Sequence, residues 1–204
     1  MAAPGAAFDA VADTYDDDPH HAVIADRLVA GLETRPDLVV DVATGTGFAA
    51  LAALTRLDPR RVVAVDLSPR MLERAVAKAA TADPDGRIEW RVGPAVPLDL
   101  PDSAADAVLC ASALHLLGAA APPEWRRVLR PGGRAAFSIP AAADFRPSPA
   151  FSATLPTDLT VPVDEVGAAR LARDAGLVPV RVETTVPASP DRPRRAFLVW
   201  ADAA

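Results

Sequence analysis

Two short acidic and glycine-bearing stretches carry the chemistry in this chain. The first is Asp41-Val42-Ala43-Thr44-Gly45-Thr46-Gly47, and the second is a lone carboxylate, Asp66, at the end of Arg61-Val62-Val63-Ala64-Val65-Asp66. Glycine admits positive φ and close approach of a ligand to the main chain, and free N–H groups opening a following helix face whatever lies above the loop. An ionised carboxylate offers only acceptors, so Asp66 suits two adjacent ribose hydroxyls. Together these features describe a nucleotide-binding shape. The segment Gly45-Thr46-Gly47-Phe48-Ala49-Ala50, with an acid about twenty residues on, also matches a dinucleotide fingerprint. Taken alone, the glycine loop leaves the nucleotide open.

Elements of alternating type must position these residues. Leu38 to Val42 reads as a buried strand, the segment from about Phe48 to Asp58-Pro59 as a helix, and Arg61 to Asp66 as a second buried strand. Ser68-Pro69 is an N-cap followed by proline at the first helical position, opening a helix to about Ala80. Arg87 to Val92 and Ala105 to Ala111 read as strands three and four, and a short helix around Glu124 to Leu129 precedes the turn Arg130-Pro131-Gly132-Gly133. Strand five is Arg134 to Ile139. Asp164 to Ala175 is a helix stopped by Gly176, and Leu177 to Val186 and Arg195 to Ala201 are strands joined by a turn around Pro187 to Pro193. So short a connection makes that last pair antiparallel. The strand–helix alternation before it implies a parallel sheet covered on both faces.

The flanks are less regular. Phe8, Val11 and Tyr15 have helical spacing after seven small residues expected to be disordered, and a second amphipathic helix puts Val23, Ile24, Leu28, Val29 and Leu32 on one face. Residues 140–162, rich in alanine, proline, serine and threonine, read as a loop.

Composition sets limits. The 204 residues suit one domain, residues 1–204, able to bury roughly 70% of the surface its unfolded chain exposes. The formal charge of −6 gives no general reason to hold a polyanion, so nucleic acid is not an expected partner, and Arg192, Arg194 and Arg195 read as a solvated hairpin. The expected protein is soluble and cytoplasmic, without a membrane span or signal peptide, and its single cysteine, Cys110, is a buried structural thiol. No His/Cys/carboxylate set has metal-ligand spacing.

Asp41, the Arg130-Pro131-Gly132-Gly133 turn and the terminal hairpin move the reading away from nicotinamide cofactors. Over residues 8–201 the chain resembles the class I S-adenosylmethionine-dependent methyltransferases of small-molecule type. The resemblance rests on Asp41 to Gly47, on Val65-Asp66-Leu67-Ser68-Pro69-Arg70-Met71-Leu72, on Leu100-Pro101-Asp102-Ser103-Ala104-Ala105-Asp106-Ala107-Val108, and on Arg127-Val128-Leu129-Arg130-Pro131-Gly132-Gly133. It implies a Rossmann-like α/β fold: a seven-stranded, mostly parallel sheet with helices on both faces and a C-terminal antiparallel hairpin. Residues 1–35 would form an N-terminal helical cap, and 140–162 a shortened lid.

The resemblance also implies roles. S-adenosyl-L-methionine would be the cofactor and S-adenosyl-L-homocysteine its product, with a small molecule carrying an O, N or C nucleophile as acceptor, in bacterial secondary metabolism. Asp41 would hold the methionine ammonium through water or a main-chain carbonyl, and the Ala43, Gly45 and Gly47 backbone would pass close to the amino acid. Asp66 would take the ribose, with Leu67 and Met71 against the adenine and Gly93, Pro94 and Ala95 edging its pocket. Ala111, Ser112 and the residues to His115 would border the sulfonium, and Tyr15 would close over the cofactor. Ala43 stands where glycine is usual, a change that costs little at negative φ, and Pro94 stands where an aspartate is common.

Other residues have two readings each. His115 is a candidate general base or a wall of the pocket, and His20 and His21 are ligand contacts or loop residues. Asp16 to Asp18 read as a solvated run ending a helix, Asp106 as an anchor of a turn, and the three tryptophans as packing. The chain is expected to act as a monomer or homodimer. A cofactor-binding accessory protein without transfer is the second reading, and a nicotinamide-dependent reductase the third.

Overall fold

The computed structural model describes residues 5–153, 155–186 and 194–204. Its centre is a seven-stranded sheet in the order β3-β2-β1-β4-β5-β7-β6. The strands are β1 (Leu38–Val42), β2 (Arg61–Asp66), β3 (Ile88–Val92), β4 (Ala105–Cys110), β5 (Leu129–Pro140), β6 (Leu177–Thr184) and β7 (Ala196–Ala203). The first five run parallel, and β7 runs antiparallel to both of its neighbours, β5 and β6. The reversed strand therefore lies one place in from the edge, and β6 is the edge itself. The turn joining these two strands lies outside the described residues.

Period-two alternation along each strand builds two cores. Val40, Val63, Val108, Phe137 and Val199 face one side, and Val39, Val62, Ala64, Leu109, Leu198 and Trp200 the other. The register pairs these positions across the sheet: Val40 lies opposite both Val63 and Val108, and Phe137 opposite Val199. With both faces buried, the central strands read as continuous apolar runs in the sequence. Cys110 lies within this core, fully buried, and burial pushes its thiol upward.

Helices cover both faces. On the Trp200 side lie α2 (Pro19–Ala30) and α3 (Phe48–Leu57), preceded in the chain by the one-turn α1 (Ala6–Asp9), while α4 (Pro69–Ala82) packs against β2 and β3. On the other side lie α5 (Leu114–Leu117), α6 (Ala121–Val128) and α8 (Glu165–Asp174), and the one-turn α7 (Pro149–Ser152) belongs to the segment after β5. Local signals set the ends. Ser68 accepts from Met71 N at 3.0 Å to cap α4, and Asp164 accepts from Gly167 N at 2.7 Å to cap α8. Asp106 anchors two turns at once: it accepts from the Asp37 and Leu38 amides before β1 and pairs with Arg130 before β5.

Several expectations need correction. The helix from Phe8 to Tyr15 is absent: α1 ends at Asp9, and a 3-10 turn at Tyr15–Asp17 follows an irregular stretch. Val23 is exposed, because only Ile24, Ala25, Leu28 and Val29 of α2 reach the core. Ala6 and Ala7 are helical, and the rest of the disordered-terminus expectation, residues 1–4, lies outside the described residues. Leu114–Leu117 was not expected as a helix, being one turn long.

Trp200 ties β7 to α2. Its indole donates to Leu28 O at 2.9 Å and is 1% exposed, and Gly31, just past α2, packs on the ring. A Cβ at Gly31 would lie 2.4 Å from the indole. Gly31→Ala is expected to destabilise the protein by about 1 to 3 kcal/mol, the range for overpacking a rigid core. Urea unfolding measures this, and an unchanged midpoint would show that the indole is free to move.

Candidate functional site

The carboxyl ends of β1, β2 and β4 open onto one rim, where ligands of open α/β sheets bind. Asp41, in β1, is 1% exposed. Its Oδ2 accepts from the Thr44 hydroxyl at 2.5 Å, while Oδ1 is buried without a hydrogen-bond partner. Burial, opposed by the Thr44 hydroxyl and the Ala50 amide in the first turn of α3, pushes its pKa up to about 7. A buried acid with an unsatisfied oxygen is suited to a cation.

Above Asp41 the loop turns three times through the left-handed region, with Ala43 at φ 53°, Gly45 at 56° and Gly47 at 85°. The expectation that Ala43 costs little at negative φ is thus overturned: the position keeps the conformation that favours glycine, at a cost of about 1 kcal/mol. Gly47 caps α3 and lies against the Trp90 ring, where a Cβ would be 2.7 Å away.

Asp66 ends β2 and reaches back over this loop. It accepts from Gly45 N at 2.7 Å and from Ser68 N at 2.8 Å. Burial raises its pKa against those amides, and Asp9 adds a like charge. Two hydrogen bonds leave acceptor capacity on the carboxylate for a diol.

A cavity of about 400 Å³ lies on this rim. Tyr15, Ala43, Gly45, Asp66, Leu67, Met71, Ala95, Ala111 and Ser112 all line it, together with Gly93. Asp41 and Gly47 do not line it; both are buried in the layer beneath. Pro94 is exposed and does not line it, whereas its neighbours Gly93 and Ala95 do. His115 lines a second cavity of about 790 Å³ and not the first. The two cavities share Phe8, Tyr15, Ser112, Leu116 and Phe151, so they meet at the end of β4. Ser112 at that junction has φ 59°, and its amide donates to the buried Ser138 Oγ at 2.7 Å.

The N-terminal segment forms the roof. Asp9 accepts from Ser68 Oγ at 2.6 Å, Asp13 pairs with Arg70 at 3.0 Å, and Asp16 accepts from Thr46 Oγ1 at 2.5 Å and Lys78 Nζ at 2.9 Å. Lys78, the only lysine, also sits over the Phe48 ring at 3.9 Å. The expectation of a solvated Asp16 to Asp18 run is therefore corrected: Asp16 latches the roof, and Asp18 caps α2 through His20 N and pairs with Arg194. Tyr15 is held with its ring stacked on His21 at 4.7 Å, and burial beside Asp66, Asp16 and Asp18 pushes its phenol up to about 12.

The larger cavity gathers residues that local patterns could not join. All three histidines of the chain line it. Burial lowers His20 and His115 to about 4 and lowers His21 as well, so the rings are neutral at physiological pH. Arg194 and Arg195 also line it, both exposed, each gripping a carboxylate, Asp18 or Asp144, with two nitrogens. Arg192 lies outside the described residues. Among those residues no group of three or more His, Cys, Asp or Glu is placed to hold a metal ion, and no helix is long and apolar enough to cross a membrane.

Asp66 lines the smaller cavity, and Asp41 lies in the layer beneath it. That disfavours a pyrophosphate and suits a ligand bearing a ribose and positive charge. S-adenosylmethionine has an ammonium, a sulfonium and a ribose diol, and the unpartnered Asp41 oxygen, the Asp66 acceptors and the open backbone at Gly45 fit it. Fold and site together resemble those of the class I S-adenosylmethionine-dependent methyltransferases.

Comparison with known proteins agrees. Residues 39–133 match the methyltransferase domain model. The chain is 34% identical over 121 residues to the 27-O-demethylrifamycin SV methyltransferase of Amycolatopsis mediterranei, covering 56% of this chain and 43% of that one. It is 32% identical over 145 residues to a ubiquinone/menaquinone biosynthesis C-methyltransferase of a Caulobacter species, covering 62% and 56%. The chain thus spans about half the length of these relatives. In fold it is similar to the 1,6-didemethyltoxoflavin-N1-methyltransferase of Burkholderia thailandensis, solved with its substrate and S-adenosylhomocysteine: TM-score 0.71, 23% identity, 99% of this chain and 91% of that one.

The roof yields a prediction. Lys78→Met keeps the packing over Phe48 and removes the charge between Asp16 and Thr46. Amide hydrogen exchange in residues 5–18 is expected to quicken, with local opening easier by about 1 kcal/mol for this half-buried pair. Unchanged protection would mean that the Asp9 and Asp13 contacts suffice.

Proposed function

We propose that this protein transfers a methyl group from S-adenosylmethionine to a small-molecule acceptor through an O, N or C nucleophile. One observation carries the reading: the smaller cavity, lined by Asp66 with Asp41 in the layer beneath, meets a second, larger chamber at Ser112. A protein that only bound the cofactor would need no second chamber. The rifamycin and toxoflavin enzymes named above are similar in sequence or fold, and their small-molecule acceptors are in keeping with it.

The bound cofactor supplies a methyl group already activated on a sulfonium. The protein's work is to align donor and nucleophile and to exclude water. Asp66 holds the ribose, with Leu67, Met71 and Ala95 around the adenine. Asp41, beneath the loop, neutralises the ammonium end through the layer formed by Ala43 and Gly45. Tyr15 and Phe8, on the latched roof, exclude water from the junction. His115 is neutral, and its Nδ1 is buried without a partner, so it can accept a proton from an acceptor that must lose one.

Transfer of label from methyl-labelled S-adenosylmethionine to phenols, acids and amines tests the function. Binding of the cofactor with no transfer to any acceptor class would favour an accessory protein, and binding of NADH in place of S-adenosylhomocysteine would favour a reductase. Asp66→Ala is expected to weaken S-adenosylhomocysteine binding by about 1.5 to 3 kcal/mol, the range for charge-assisted hydrogen bonds. Unchanged affinity would place the ribose elsewhere.

Asp41 makes that affinity depend on pH. In the free protein its pKa is raised to about 7, and a bound ammonium favours the carboxylate, so binding below that pH must release a proton. Affinity is expected to rise with pH by up to about tenfold per unit up to about pH 7 and then level off. Calorimetry across this range checks the slope, and Asp41→Asn should flatten it. A slope retained in that variant would assign the proton to another group.

A further inference from the structure

The larger chamber is electrically lopsided. Toward the cofactor cavity it meets the Asp41 and Asp66 end of the sheet. Its lining also includes three guanidinium groups, Arg146, Arg194 and Arg195. Two of these are spoken for: Arg194 pairs in two-pronged fashion with Asp18, and Arg195 does the same with Asp144. Arg146 donates through Nη1 to the main-chain oxygens of Ala142 and Phe145, at 3.2 and 3.0 Å. Among the described residues no carboxylate lies within ion-pair distance of it; Asp144, whose pKa its charge helps to lower, is paired with Arg195.

Among the described residues, three positive and two negative charges leave one positive charge here, in a protein whose net charge is −6. The histidines do not add to it, being neutral. The remaining wall is apolar and aromatic. Phe8, Phe145 and Phe151 line the chamber, and the His115 ring meets Phe145 edge-on at 5.2 Å. A flat ring system would pack between such faces, and a guanidinium with free donors at one end recognises a carboxylate.

On the reading that this chamber takes the methyl acceptor, we propose that the acceptor is a monoanionic aromatic acid. Its carboxylate is held by Arg146, and its reacting atom lies at the opposite end, toward Ser112 and His115. Arg146 is then a specificity-determining residue, remote from the transferred methyl. The paired Arg194 and Arg195 fix the wall and do not carry the selection.

The test uses S-adenosylhomocysteine-saturated protein and two probes of the same shape, 6-hydroxy-2-naphthoate and its neutral amide, 6-hydroxy-2-naphthamide, titrated by calorimetry. The acid is expected to bind at least about tenfold more tightly than the amide, as one charge-assisted contact provides. In Arg146→Gln the preference should shrink to about twofold or less, with S-adenosylhomocysteine affinity unchanged. Equal binding of acid and amide, binding of neither at millimolar concentration, or a preference that survives Arg146→Gln overturns the proposal and leaves the cofactor reading standing. Failure of S-adenosylhomocysteine to bind, measured first, overturns both.

Discussion

The structure depends on a carboxylate placed where an apolar side chain would be cheaper. Asp41 occupies a core position of β1, between Ala64 of β2 and Leu109 of β4, with one oxygen unsatisfied and its pKa shifted to about 7. Isolated burial of this kind is unfavourable unless something positive arrives. The surroundings limit the cost without removing it: Thr44 donates to one oxygen, and the first turn of α3 lowers the pKa from above. Strain is spent in the same place, since Ala43 and Ser112, both lining the cofactor cavity, hold positive φ. Stability withheld at a site and kept for a ligand is the usual pattern of functional centres.

This site would be open to solvent without the N-terminal segment. That segment has little regular structure of its own, and its position comes from acids spaced along it. Asp9, Asp13 and Asp16 each find a donor on the start of α4, on Arg70, or on Lys78 and Thr46. Three partly exposed contacts each contribute little, yet together they place Tyr15 and Phe8 over the junction of the two cavities. A roof held by such contacts can open to admit ligands and close again, and elements with few apolar contacts are those that move.

Much of this was legible in the sequence because its causes are local. Strands ending in Asp41 and Asp66, the Ser68-Pro69 cap, the Gly176 stop and the reversed C-terminal pair follow from periodicity and turn chemistry, and they define the parallel sheet and its ligand rim. What escaped depends on partners distant in the chain. Arg194 lies 176 residues from Asp18, and Lys78 lies 62 from Asp16, so neither pairing leaves a mark on local spacing. The helix expected from Phe8 to Tyr15 failed for the same reason: tertiary pairing of its acids outweighed its helical spacing. The segment 140–162 read as a loop or shortened lid with little regular structure, and it brings Phe145, Arg146 and Phe151 to the larger cavity.

The central claim is that Asp41 and Asp66 together define a site for the methyl donor, with the acceptor chamber beyond Ser112. A crystal structure of the protein with S-adenosylhomocysteine tests it most directly. The account predicts the ribose hydroxyls on the Asp66 carboxylate, the amino group above Asp41, and the sulfur turned toward Ser112 and the histidine-lined chamber. A ribose away from Asp66, or a sulfur facing away from Ser112, would contradict it.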